Sequence, residues 1–474
     1  MSARFTGGLT LFLVRYLGPD DYGVYALALS VAGVLALPAD FGVTRSAARF
    51  IAERRGNLAE VTAVLRHGIR LKSIGAAVVA VALILLSGPI ADAFGAPSLK
   101  TALWIVALAM IVQGFMYFFT TTFEAIGRNS VGFRLTFVES AVEFCAALGL
   151  VLAGAGVNGA LGGRAIGYGF GTALGAILLL RIIDRRDGIL ATSRTALTAR
   201  RIARYAGTIL VIDTAFAVFG YIDVLLIGAF LDPAAAGSFS APLQIITLTG
   251  FVALALAGAV GPRLARGEGQ VPDTSSFSLA IRLVLGFQLM LIPPLVVWTT
   301  PIVDLLLGPD YGASVDVLRA LAPYVLLASL GPLFSLSVNY LGEARSRIPI
   351  AIGAVAINAL IDVILIPRIG IVAGAIGTDV AFLFFVVGHG VILRRLIDLP
   401  LAPLGQTLAR ASLAALAMSA VLFAFGTGKL GAAELILGAI LALITYFGVL
   451  MATGELTPSQ LRSARGYASS MFAR

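Results

Sequence analysis

The sequence predicts an all-α integral membrane protein of about fourteen spanning helices, and three observations predict it. The chain is 59% hydrophobic and 12% charged, whereas a soluble protein carries about 25% charged residues. Apolar runs long enough to cross a bilayer recur along its whole length, and mean hydropathy is +0.98. Lysine and arginine are segregated into alternate connections between those runs. A soluble fold cannot hide so much apolar surface, but hydrocarbon accepts it.

A spanning helix needs about 20 apolar residues, because the hydrocarbon is roughly 30 Å thick and each residue rises 1.5 Å. Scanning for such runs gives helices at 3–18, 22–43, 72–94, 99–123, 133–154, 160–183, 205–230, 236–261, 279–306, 315–341, 348–367, 371–393, 405–426 and 431–452. The first is short, with Arg4 and Arg15 near its ends, and reads as a spanning helix rather than a cleaved leader. The connections are too short to hold an inserted soluble domain.

Basic loops stay on the cytoplasmic side. With the N-terminus inside, all but Arg15, Lys100, Arg164, Arg319, Arg368 and Lys429 of the 34 basic residues fall on the inner side. The outer loops carry Asp20, Asp21, Asp92, Asp232, Asp304, Asp310 and Asp316 instead. The bias holds loop after loop and places both termini in the cytoplasm. Basic residues spread over many short loops do not build a nucleic-acid surface. Cys145, the single cysteine, excludes an internal disulfide and a cysteine metal cluster, and reads as a small buried core residue. His389, near a basic inner end, reads as structural.

Shifted by about 214 residues, the chain aligns with itself. Leu17, Pro19, Gly23 and Tyr25 fall over Leu231, Pro233, Gly237 and Phe239, and Gly156–Gly162 falls over Gly370–Gly377 with one insertion. The shift spans six helices, an even number, so the copies enter the membrane in the same direction as parallel repeats. The expected organisation is a six-helix lobe at 1–190, a second at 195–398, two further helices within 404–453 and a cytoplasmic tail at 454–474.

The stretch Arg15-Tyr16-Leu17-Gly18-Pro19-Asp20-Asp21-Tyr22-Gly23-Val24-Tyr25 resembles a segment of the polysaccharide transport family, within the multidrug/oligosaccharidyl-lipid/polysaccharide exporter superfamily. Asp40-Phe41-Gly42-Val43 with Arg45, Arg49, Phe50 and Ile51 is similar to that family's second helix running into its basic inner loop. Tyr221-Ile222-Asp223 and Pro233 through Gly237 resemble the start of its second lobe. The resemblance covers nearly the whole chain, although the lead into helix 1 is shorter than in relatives. It implies a flippase moving polyprenyl-diphosphate-linked oligosaccharides from inner to outer leaflet by alternating access, with a proton or sodium ion as the coupling ion and no other cofactor. The implied partners are the lipid-linked oligosaccharide, membrane lipid, and a polysaccharide polymerase or glycosyltransferases.

Ionisable residues at membrane depth are costly, and each is a functional candidate. For diphosphate and sugar the candidates are Arg15, Arg45, Arg49, Arg164 and Asp223, since guanidinium forks match phosphate. For ion coupling they are Glu139 and Glu143, one turn apart on helix 5 with Arg134 or a residue of another helix as the alternative, neutralising partner, and Asp213, Asp362 and Asp379. Asp40 stands at the inner end of helix 2, as a helix-end cap or part of a gate. Pro293-Pro294 and Gly331-Pro332 interrupt helices 9 and 10 and are candidate hinges. Two transporter readings compete: a lipid II flippase, and a multidrug or cation antiporter, for which twelve helices and an acidic first helix are expected. A membrane-bound polymerase or glycosyltransferase calls for a long catalytic outer loop, and no nucleophile, base or metal-ligand constellation is present in the sequence.

Overall fold

The computed structural model describes residues 2–184, 199–250, 253, 256, 264, 274–399 and 401–456. Every regular element among them is helical. In chain order they are α1 (Ser2–Asp40), α2 (Val43–Glu53), α3 (Leu58–Ala93), α4 (Pro97–Ala125), α5 (Asn129–Leu150), α6 (Gly156–Asp184), α7 (Ala199–Phe230), α8 (Pro233–Thr249), α9 (Thr274–Val297), α10 (Thr299–Leu306), α11 (Ser314–Ala320), α12 (Ala322–Tyr340), α13 (Ile348–Ile369), α14 (Val372–Leu396), α15 (Leu401–Ala424) and α16 (Ala432–Ala452).

Ten stretches among the described residues are long and apolar enough to cross a membrane. Two of them contain breaks. α1 leaves helical geometry at Gly18 (φ 72°, ψ 173°), a conformation open to glycine and followed by Pro19, which donates no backbone hydrogen bond. The stretch from Asn129 to Ile182 is broken by a π turn at Val151–Ala155, with Gly154 and Gly156 at positive φ. These breaks separate the segments predicted at 3–18 and 22–43, and at 133–154 and 160–183. The outward surface is apolar, with Leu85, Leu416 and Phe423 about 70% exposed; that surface suits lipid rather than water.

Several expectations are corrected. The third span begins at Leu58 instead of 72, capped by Asn57, whose side chain accepts the Glu60 N–H. Lys72 is buried inside the protein, paired with Asp40 and bonded to Thr44. Cys145 is exposed, not buried; an apolar run in a membrane protein faces lipid as readily as core. The helix also continues through Pro293 and Pro294 and breaks only at Trp298, whose N–H bonds the Pro294 carbonyl at 3.0 Å. Gly331 and Pro332 lie within continuous α12.

The helices fall into two compact units, Met1–Ala241 with Asn358–Gly374, and Pro242–Ile357 with Ala375–Arg474. In the first, α5 and α6 pack through a glycine at every fourth position. A Cβ on Gly163, Gly167 or Gly171 would fall within 3.0 Å of Ala147, Glu143 or Glu139 respectively, and one on Gly175 would meet Leu135 at 3.1 Å. Small residues let the backbones approach this closely. In the second unit, α15 and α16 dock on α9: Trp298 Nε1 donates to Leu422 O at 3.0 Å and Tyr446 OH to Gly286 O at 2.6 Å. His389 is fully buried in this unit, its Nδ1 2.8 Å from Phe385 O and its Nε2 accepting from Arg347 Nε at 3.4 Å. Both ring nitrogens are engaged. The expected boundary between 190 and 195, and the tail beyond Leu456, lie outside the described residues.

Candidate functional site

Three groups of polar side chains lie inside the first unit. The first joins α7 to α13. Asn358 and Asp362 are one turn apart on α13 and completely buried, and Asp223 on α7 is 7% exposed. Asn358 Nδ2 donates to Asp223 Oδ1 at 2.5 Å. Asp362 lies within electrostatic reach of Asp223. Asp362 Oδ1 and Oδ2 and Asn358 Oδ1 are buried with no hydrogen-bond partner among the described residues. Two carboxyls and an amide thus gather oxygen atoms where water does not reach them. Unpartnered buried oxygens are expensive, and an all-oxygen set is what a hard cation takes. The residues fit a bound cation or proton.

The second group lies between α5 and α6. The glycine stripe brings Arg164 of α6 onto Glu143 of α5, Nη1 donating to Oε1 at 3.2 Å. Arg164 Nη2 donates to Tyr168 OH at 3.4 Å, and the guanidinium sits 5.1 Å from that ring's centre. Glu139, one turn away, is 4% exposed. From the sequence, the neutralising partner was Arg134 or a residue of another helix, and Arg164 was a substrate candidate. The structure exposes Arg134 and makes Arg164 the partner. The signal available in the sequence was the four-residue spacing of Gly163, Gly167, Gly171 and Gly175, which fixes the face that α6 turns to α5.

The third group surrounds a cavity of about 210 Å³ lined by residues of α1–α4, among them Asp40, Arg45, Lys72, Gln113 and Tyr117. Lys72 is 3% exposed and pairs with Asp40. Asp40 also accepts the backbone N–H of Thr44 at 3.2 Å and so caps α2. α2 starts afresh after Phe41 and Gly42, both at positive φ. Its buried face, Val43, Ala47, Phe50 and Ile51, packs into a cluster with Phe118, Phe119 and Phe123. Arg45 lies on its exposed face, as does Arg49, which bonds Glu53 at 2.9 Å.

The remaining candidates are scattered. Arg15 is exposed on the part of α1 before Gly18. Asp379, on α14, belongs to the second unit and has a buried Oδ1 without a partner among the described residues. Asp213 lies on α7, and its side chain is outside the described residues.

Against known proteins, the family model for polysaccharide biosynthesis proteins matches residues 9–268, more than half of the chain. This chain belongs to the polysaccharide biosynthesis protein family. A relative in that setting is a Haloferax volcanii protein described as a probable low-salt glycan biosynthesis flippase, Agl15, 22% identical over 449 residues, 93% of this chain and 90% of its own length. A Shigella flexneri protein described as a "putative O-antigen transporter" is 22% identical over 289 residues, 60% of this chain and 68% of its own. Among solved structures, the lipid II flippase MurJ in an inward closed conformation aligns with a TM-score of 0.71 at 15% identity, over 94% of this chain and 96% of its own. An inward-facing MATE multidrug transporter aligns with a TM-score of 0.67 at 16% identity, over 84% and 95%. This member of the polysaccharide biosynthesis family therefore has the fold of these transporters and is a multi-pass membrane protein.

Proposed function

We propose that this protein is a flippase that carries a polyprenyl-diphosphate-linked oligosaccharide from the inner to the outer leaflet for surface polysaccharide synthesis, with both termini cytoplasmic. It works by alternating access between two repeated lobes, coupled to a cation. The observation that carries the cargo is the family match together with a glycan flippase relative aligned along nearly its whole length. A sugar diphosphate cannot cross hydrocarbon unaided, and a bundle with buried charges supplies the polar route.

The coupling site is the Asp223, Asn358 and Asp362 group. Asp223 holds Asn358 by a hydrogen bond, leaving the Asn358 and Asp362 oxygens for the ion. Arg45 beside the inner cavity, with Arg15 and Arg49, receives the diphosphate. Pro293, Pro294, Gly331 and Pro332, though inside continuous helices, are the candidate hinges of that alternation. Asp213 and Asp379 remain candidates for a further ion step. A polymerase or glycosyltransferases dock nearby to use and supply the cargo. The fold does not call for catalysis by this chain.

The test is reconstitution of the purified chain in vesicles loaded with a fluorescent lipid-linked oligosaccharide, with outer-leaflet exposure read by chemical quenching. Translocation that requires this chain supports the reading. A lipid II flippase instead translocates lipid II in the same vesicles and restores growth to cells depleted of their own.

A further inference from the structure

The Glu139, Glu143 and Arg164 group is not used by the coupling site above, and its composition is unusual. Glu139 and Glu143 are 4% and 6% exposed. They lie one turn apart on α5 and within electrostatic reach of each other. Glu139 Oε2 accepts from Ser140 at 3.2 Å, while its Oε1 is buried without a partner among the described residues. The charged group facing them is Arg164 of α6, which bonds Glu143. The other titratable groups around the guanidinium are the phenols of Tyr25 on α1, Tyr168 on α6 and Tyr221 on α7. From α4 come the neutral Gln113 and Met116. Two carboxylates thus meet one guanidinium. A second buried carboxylate left ionised and uncompensated is costly, and the cheapest relief is a proton.

The group also has a connection to water. Gln113 Nε2 donates to the Tyr168 hydroxyl at 3.4 Å, the hydroxyl that also accepts from Arg164. The same Gln113 stands in the wall of the cavity lined by Asp40, Arg45 and Lys72. That cavity, of about 210 Å³ and walled mostly by apolar atoms, has room for waters beside its charged and amide groups. On the other side, Gly167 and Gly171 press α6 onto the Glu143 and Glu139 stems and leave no space for water there.

We propose that Glu139 and Glu143, opposite Arg164, form a site for one exchangeable proton, reached from the inner cavity past Gln113 and Tyr168. Binding forms one carboxyl O–H bond, takes the group's net charge from −1 to 0, and involves no redox step. The site is separate from the Asp223 group. Only its use in driving transport rests on the flippase reading.

Infrared difference spectroscopy of the full-length protein in lipid, titrated with pH, reads the site without any transport. The wild type shows the carbonyl stretch of a protonated carboxyl. Glu139→Gln and Glu143→Gln each remove that contribution, because each leaves one carboxylate facing one guanidinium, and Arg164→Gln strengthens it. Tyr168→Phe keeps the band and slows its hydrogen–deuterium exchange at least severalfold. Wild-type band intensity at every pH in whichever of the two glutamine variants folds overturns the site. Unchanged exchange in Tyr168→Phe overturns the route. In vesicles, an imposed pH gradient accelerates translocation by the wild type but not by Glu139→Gln. If the wild type moves no oligosaccharide, the flippase reading fails while the infrared result still decides the proton site.

Discussion

Gly23 lies directly against the Pro233 carbonyl, and its repeat equivalent Gly237 lies against the Pro19 carbonyl. A Cβ at Gly23 would sit 1.7 Å from Pro233 O, and one at Gly237 would sit 2.1 Å from Pro19 O. The two glycines and the two prolines are each 214 residues apart (237 − 23 and 233 − 19). The contact is reciprocal, as a two-fold relation between repeats requires. The Gly-Pro turns detected as a repeat in the sequence are therefore partners in space.

That reciprocity predicts matched effects. Gly23→Ala and Gly237→Ala each force backbone apart and cost about 1–3 kcal/mol or more in stability. The two variants lower the thermal midpoint in lipid by similar amounts and reduce translocation together. Gly8→Ala, with nothing within 4 Å of its Cβ position, is neutral in the same melts. A loss confined to one of the two sites contradicts the reciprocal contact.

The α5–α6 seam predicts a contrast within one helix. Gly163→Ala places a Cβ 2.3 Å from the Ala147 backbone, whereas Gly169→Ala meets nothing. The first variant loses about 1–3 kcal/mol. The second is neutral or gains up to about 1 kcal/mol from helix propensity. Thermal unfolding in nanodiscs measures both.

The Asp223 group predicts a loss of ion dependence. Asp362→Asn removes a buried carboxylate whose two oxygens have no hydrogen-bond partner among the described residues, so the protein tolerates it in folding. Translocation in vesicles then loses its response to an imposed sodium or proton gradient, a change of about tenfold or more, the usual size of coupling between two sites. Asp223→Ala, which also frees Asn358, gives the same loss with a lower thermal midpoint.

Glu455, just beyond α16, predicts a pH dependence. It accepts from Thr407 at 2.6 Å, from Arg282 at 2.8 Å and from Arg410 at 3.1 Å. Burial acts to raise its pKa, but these bonds together outweigh it and hold the carboxyl below its ordinary value. A depressed folded pKa stabilises above the unfolded value, about 4.3 for glutamate, and the contribution fades as pH falls through the folded value. Glu455→Gln therefore lowers the thermal midpoint at neutral pH, and the gap to the wild type narrows below about pH 4. A gap that is constant over that range contradicts the clamp.

Much of the fold was legible in the sequence because lipid imposes a simple rule, a long apolar run for each crossing. The breaks at Gly18 and Gly154 fall where glycine punctuates those runs. Asp223 and Asp362 stood out because a carboxylate in an apolar run has few bland explanations. The burial of Lys72 was not legible, because the partner that explains it, Asp40, lies 32 residues away in the chain. Arg164 could not be named as the partner of Glu143, because sequence spacing does not reveal which helix a side chain meets. Cys145 shows the converse limit, since apolar neighbours do not distinguish core from lipid-facing surface.

The most direct test is outer-leaflet exposure of a lipid-linked oligosaccharide in vesicles containing the purified wild type, with Asp223→Ala alongside under a sodium or proton gradient. The account predicts gradient-accelerated translocation by the wild type and a loss of about tenfold or more in the variant. Equal translocation by wild type, variant and protein-free vesicles would contradict it.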